Sequence, residues 1–222
     1  MTAPTRSAAR DRPERDDTRS KRDAIIAAAR TLFAKQGYEE TTIAEIARAA
    51  GVGVGTVYLY FENKRQILVE VSVSVTVDLA EIMGSPELLT LPIQQVPRLL
   101  IEAAFRKCHD NLAVMSLFDV NVPSPEEVSQ IQVAHDRIAQ ALDGFFRQAI
   151  ERQILPPFDT IMYARMLTAL VNAVLQQCFA VEHGVHEDLY RERLIELVER
   201  LFFGPPLQPA ANPAREDKPT SA

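Results

Sequence analysis

Cysteine is scarce in this chain of 222 residues, which has only Cys108 and Cys178. Neither belongs to a CxxC pair, so a disulfide framework is excluded and reduced core thiols are expected. Long apolar runs are missing too. No stretch holds 18 uninterrupted apolar residues, so no transmembrane helix is expected. The polar N-terminus mixes Arg with Asp and lacks the apolar stretch of a signal peptide, which predicts a cytoplasmic chain. Glycine is sparse as well. Of eight in all, three crowd into five residues at Gly51, Gly53 and Gly55.

The formal net charge is −6, unevenly spread. Residues 1–65 carry 12 basic and 9 acidic groups, whereas residues 66–222 carry 12 and 21. One end can therefore meet a polyanion while the body repels it. The positive excess lies in residues 1–22, and residues 23–65 balance at 5 against 5. Nucleic-acid binding by that second stretch must rest on placed groups rather than bulk charge.

Residues 1–18 and 204–222 are polar and proline-containing, and both are expected to be disordered. The chain between them carries helical spacing. Ile25, Ala28, Ala29, Leu32 and Phe33 recur at i, i+3, i+4, i+7 and i+8, and Gly37 closes that helix. "VEVSVSVTV" (69–77) alternates like a strand, but Asn63 caps before it, Gln66 sits at the capping-box position, and no partner strand is near. A helix is expected there. Further helices are predicted at 92–109, 111–119, 125–153, 159–183 and 187–202, separated by Pro123, Pro125, Pro156-Pro157 and Gly184.

The glycine cluster is not a phosphate loop, because it lacks the GxxxxGK[ST] and GxGxxG spacings and has no preceding strand. A helix-turn-helix explains it. Thr42 and Glu45 form a capping box, the first short helix ends at Gly51, and a turn of about three residues starts the second. On that second helix Val57, Tyr58 and Phe61 are expected to face inward. Gly55, Thr56, Leu59 and Tyr60 are expected to face out. Gly55 permits close backbone approach, Thr56 suits a base edge, and Tyr60 suits a phosphate oxygen. Lys64 at one flank and Thr42 at the other would anchor phosphates, with Arg48 and Val54 at the edges of the reading face.

Gly37-Tyr38, Thr41-Thr42-Ile43, Ile46-Ala47, Ala50-Gly51-Val52, Gly55-Thr56-Val57-Tyr58, Tyr60-Phe61 and Lys64 together resemble the DNA-binding domain of the TetR family of transcriptional regulators. One departure is Gly53, where the family often has a capping Ser or Thr. The resemblance implies an all-α chain. Its DNA-binding domain would span residues 19–66, and a helical ligand-binding and dimerisation domain would span 67–203. It also implies a homodimer on a palindromic operator in double-stranded DNA, seated on the last two long helices. A small-molecule effector would release a repressor, with no enzymatic activity and no membrane.

Candidates for effector contact are Arg106 and His109 on one helix, and Arg165, Thr168, Asn172 and Gln176 on another. Solvated surface for the first pair and inter-helix hydrogen bonds for the polar stripe are the competing readings. His183 and His186 with Glu182 and Glu187 are the only metal-like group, and Gly184 disrupts their spacing, so neither metal nor cofactor is expected. Cys108-His109 cannot act as a dyad, since adjacent helical residues diverge by about 100°. Arg10, Arg12, Arg15, Arg19, Lys21 and Arg22 form an arm, part of which is expected to reach DNA, opposed by Asp11, Asp16 and Asp17.

Overall fold

The computed structural model describes residues 11–112 and 124–204. Among them run eight α-helices: α1 (Asp11–Gln36), α2 (Ile43–Ala49), α3 (Val54–Tyr60), α4 (Lys64–Met83), α5 (Val96–His109), α6 (Pro125–Glu151), α7 (Thr160–Leu175) and α8 (Glu187–Phe203). No strand occurs among the described residues. The alternating "VEVSVSVTV" lies inside α4 as a helix. Asn63 caps it by accepting from the Gln66 amide at 2.9 Å, while the Gln66 side chain reaches back to the Glu62 amide at 2.7 Å. The expected helix at 111–119 falls almost wholly outside the described residues.

The first helix is already under way at Asp11, the first described residue, so residues 11–18 are helical and not the disordered segment expected from their polarity. The N-terminal core gathers Ile25, Ala29 and Phe33 of α1, Ile46 and Ala47 of α2, Val57 of α3 and Phe61 after it, with Ile67, Leu68 and Val71 of α4. Each large side chain buried there contributes roughly 1.5–3 kcal/mol, so α2 and α3, at seven residues each, hold together only through this packing.

The body core takes over along α4 itself. Leu79 and Met83 join residues of α5 to α8, among them Ile101, Phe105, Ile138, Phe146 and Ile195. The boundary expected at residue 66 therefore falls within a helix that both cores share. Helix α5 starts at Val96 rather than 92, after 3-10 turns at Pro86–Thr90 and Ile93–Gln95. Helix α6 opens on a capping box between Ser124 and Glu127. Helix α7 widens into a π turn over Gln176–Val181 and stops at His183 and Gly184, both with positive φ.

Candidate DNA interface and ligand cavity

The α2–turn–α3 unit is built by local chemistry. Thr42 accepts from the Glu45 amide at 3.2 Å, and the Glu45 carboxylate accepts the Thr42 amide at 2.9 Å. The Thr42 amide and hydroxyl, both donating to it, hold the Glu45 carboxyl below its usual range. At the other end Val52 donates to the Ala47 carbonyl (3.0 Å) and Gly51 to Arg48 (3.2 Å). This is a Schellman closure. It requires the left-handed φ of +69° that Gly51 supplies. Gly53 then caps α3 with extended backbone and no side-chain bond.

The outward face of α3 differs from the expected one. Tyr58 is 54% exposed and Leu59 83%, with Val54 at 43%. Tyr60 is half-buried against the core, its ring centroid 6.5 Å from that of Phe61. The expected assignments of Tyr58 and Tyr60 are thus exchanged. Phe61 is the reason. It follows the helix in extended backbone (φ −139°, ψ 126°), so its direction is not set by helical period. Val57, Tyr60 and Phe61 turn inward together. The open face is Val54, Gly55, Tyr58 and Leu59, with no atom within 4 Å of where a Gly55 Cβ would stand. Thr56 is half-buried, and Thr42 and Arg48 are exposed.

Lys64 does not stand free. Its Nζ donates to the carbonyls of Tyr38 (2.7 Å) and Glu39 (3.0 Å) and lies 4.3 Å from the centre of the Tyr38 ring. It clamps the turn between α1 and α2. Arg65 beside it makes a bidentate pair with Glu127 at the start of α6, at 2.7 and 3.1 Å. That pair holds the Glu127 carboxyl below its usual range. A second tie links α1 to the body. Arg30 donates to Asp78 and to Asn111, and Lys107 donates to the same Asp78, each at 2.9 Å. Burial pushes Asp78 up, but the hydrogen bonds from Arg30 and Lys107 outweigh it and keep the carboxyl low. In the arm, Arg22 pairs with Glu70 at 2.5 Å and covers the Phe61 ring.

Inside the body, α4, α5, α6, α7 and α8 surround a cavity of about 150 Å³. Its wall is mostly carbon, including Leu79, Leu100, Ile138, Phe146 and Val171. Its polar groups are Ser72, Thr76, Cys108, His135, Thr168 and Asn172. Among the described residues no charged side chain lines it. Of the six expected ligand contacts, only Thr168 and Asn172 do so, and the Thr168 hydroxyl donates to the Ala164 carbonyl at 2.8 Å.

Arg106 and His109 are exposed on the outer side of α5, with His109 Nδ1 2.9 Å from a Glu187 oxygen. Arg165 is exposed, and Gln176 leaves the stripe where the π turn begins. The sequence reasoning missed Ser72, Thr76 and His135, whose signal was a small or polar residue inside an apolar helical face. Burial holds the His135 imidazole below its usual value and pushes the Cys108 thiol up to about 12.

The α2–turn–α3 unit packed on α1 has the form of a helix-turn-helix. Residues 25–71 match the model of bacterial regulatory proteins of the tetR family. Over 45 residues the chain is 49% identical to the fatty acid metabolism regulator protein of Bacillus subtilis, covering 20% of this chain and 23% of that one. It is 29% identical over 224 positions to the transcriptional regulator AcrR of Shigella flexneri, covering 90% of this chain and 99% of that protein.

Thermus thermophilus FadR in complex with lauroyl-CoA shares the fold with a TM-score of 0.57 at 25% identity, covering 87% of this chain and 99% of that one. The matches to the first curated relatives span about a fifth of those proteins' length. Residues 25–71 thus carry a tetR-family DNA-binding domain, and these relatives are transcriptional regulators.

Proposed function

We propose that this chain is a ligand-responsive transcriptional repressor that binds a palindromic operator as a homodimer in the cytoplasm. The observation that carries this is a helix-turn-helix with a bare α3 face, tied by Arg65–Glu127 to a helix that walls an internal cavity. One seven-residue helix reaches only a few base pairs, so two copies about 34 Å apart are needed to read an operator. Helices α7 and α8 offer the self-complementary face for pairing, with Met162, Met166, Leu189, Leu197 and Leu201 exposed. The same exposed side makes Thr160–Val181 apolar enough, at a mean hydropathy of 1.3, to match a membrane span by composition. A dimer seam accounts for that composition.

On the DNA, Thr42, Arg48, Thr56 and Tyr60 flank the open face as backbone contacts, and Val54 and Gly55 approach the bases. Lys64 acts by holding the turn. The effector is a molecule with a hydrocarbon part. Thermus thermophilus FadR, with lauroyl-CoA bound, supports an acyl chain, and the uncharged wall here supports burial of that chain without its headgroup. A cavity of about 150 Å³ holds a benzene-sized group. A longer chain must spread α4 and α6, and α6 carries Glu127. The ligand thereby favours one arrangement of the reading helices by its differential affinity for the two.

The test is fluorescence anisotropy of a labelled operator titrated with lauroyl-CoA or 1-dodecanol. Release by either supports the reading. Retention of the operator at saturating levels of both, in a protein shown to bind DNA, contradicts the effector class.

A further inference from the structure

We propose that this protein distinguishes its operator chiefly by apolar contact with thymine C5-methyl groups, and that Leu59 is the residue that makes the contact. This rests on the DNA-reading function proposed above. Helix α3 has the sequence VGTVYLY, with no Arg, Lys, Asn, Gln, Asp or Glu. It therefore carries none of the side chains that form two hydrogen bonds to one base edge. What it offers outward is Leu59, 83% exposed, beside Tyr58 and Val54, with Gly55 leaving room for close approach.

Leu59 belongs to neither apolar core, so no core packing among the described residues covers it. In the major groove only one base presents an apolar group, and that is thymine. A leucine on a groove-reading face whose hydrogen-bonding neighbours on α3 are only hydroxyls, those of Thr56 and Tyr58, matches that group. The consequence is an operator whose half-sites contain at least one thymine read by its methyl. Guanine contacts are correspondingly of little weight under α3.

The experiment uses the full-length protein and the duplex recovered by selection from random DNA. Each half-site thymine is replaced in turn by deoxyuridine, which removes the methyl and keeps the pairing edge. Loss of one methylene-sized contact weakens binding about 4-fold, and about 15-fold when both half-sites are changed. Leu59→Ala should bind the thymine and uracil duplexes within about twofold of each other. Its thermal midpoint should match that of the wild type, because Leu59 is 83% exposed. Leu59→Gln, which can bridge adenine N6 and N7, should shift the selected base at that position toward adenine.

Equal affinity of the wild type for thymine and uracil duplexes, with specific binding intact, overturns the proposal. So does an undiminished uracil penalty in Leu59→Ala, which would trace the effect to DNA shape. Failure to select any duplex instead overturns the DNA-reading function beneath it.

Discussion

Truncating Arg65 to Met probes the joint between the reading domain and the body. The guanidinium gives two charge-assisted bonds to Glu127, at 2.7 and 3.1 Å, and the two side chains are 26% and 19% exposed. A fully exposed pair is worth about 0–1 kcal/mol, and breaking a fully buried one costs about 3–5 kcal/mol. This pair lies between those limits. Its carboxylate also keeps the Ser124 amide at 2.8 Å when the arginine is gone. The expected loss for Arg65→Met is about 2 kcal/mol, with a coupling energy to Glu127→Gln of about 1.5 kcal/mol. Because the folded Glu127 carboxyl is depressed, the coupling is present above its unfolded value and is lost as pH falls through the folded one. The assay is urea unfolding at low salt, followed by circular dichroism since the chain has no Trp. A coupling below about 0.5 kcal/mol would place the pair among ordinary surface contacts and refute its role as a joint.

Lys64→Met should cost about 1–2 kcal/mol in thermal unfolding by freeing the Tyr38 and Glu39 carbonyls. The salt slope of operator binding should stay unchanged, whereas loss of a phosphate contact would reduce it by about one per subunit. His135 is held below its usual value by burial, so stability is full above pH 6.5 and declines as pH falls through the folded value. In His135→Leu that component of the acid profile should vanish. Cys108 and Cys178, pushed up to about 12 and about 11 by burial, should resist iodoacetamide at pH 9 in the native protein and react after unfolding. Met166→Asp places a charge at a residue that is 63% exposed on α7. It should yield monomers in sedimentation velocity while leaving the fold intact.

Much of the fold is legible because its signals are local. The Thr42–Glu45 box, the left-handed Gly51 and the Ser124–Glu127 box mark helix ends without any reference to tertiary structure. The face of α3 was not legible. In a seven-residue helix, Val57 and Tyr58 serve equally as inward residues, and the choice turns on Phe61 lying outside the helix. Lys64 misled in a related way. A cation at a helix N-terminus suits an anion, but the Tyr38 and Glu39 carbonyls of the turn before α2 take two of the three hydrogens of this ammonium. The polar stripe of α7 was half legible. Thr168 and Asn172 reach the cavity by period, and Gln176 does not because the helix widens there. Ser72 and His135 pass as ordinary residues until α4 and α6 are seen side by side.

The most direct test of the whole account is selection of operator DNA from a random duplex pool, run with the wild-type protein and a Tyr58→Ala, Leu59→Ala variant. A single palindromic motif with half-sites one helical turn apart, enriched by the wild type and lost in the variant, is the predicted result. Equal enrichment by both proteins would contradict the assignment of the open α3 face as the reading surface, and no enrichment by either after ligand is stripped by refolding would contradict DNA recognition itself.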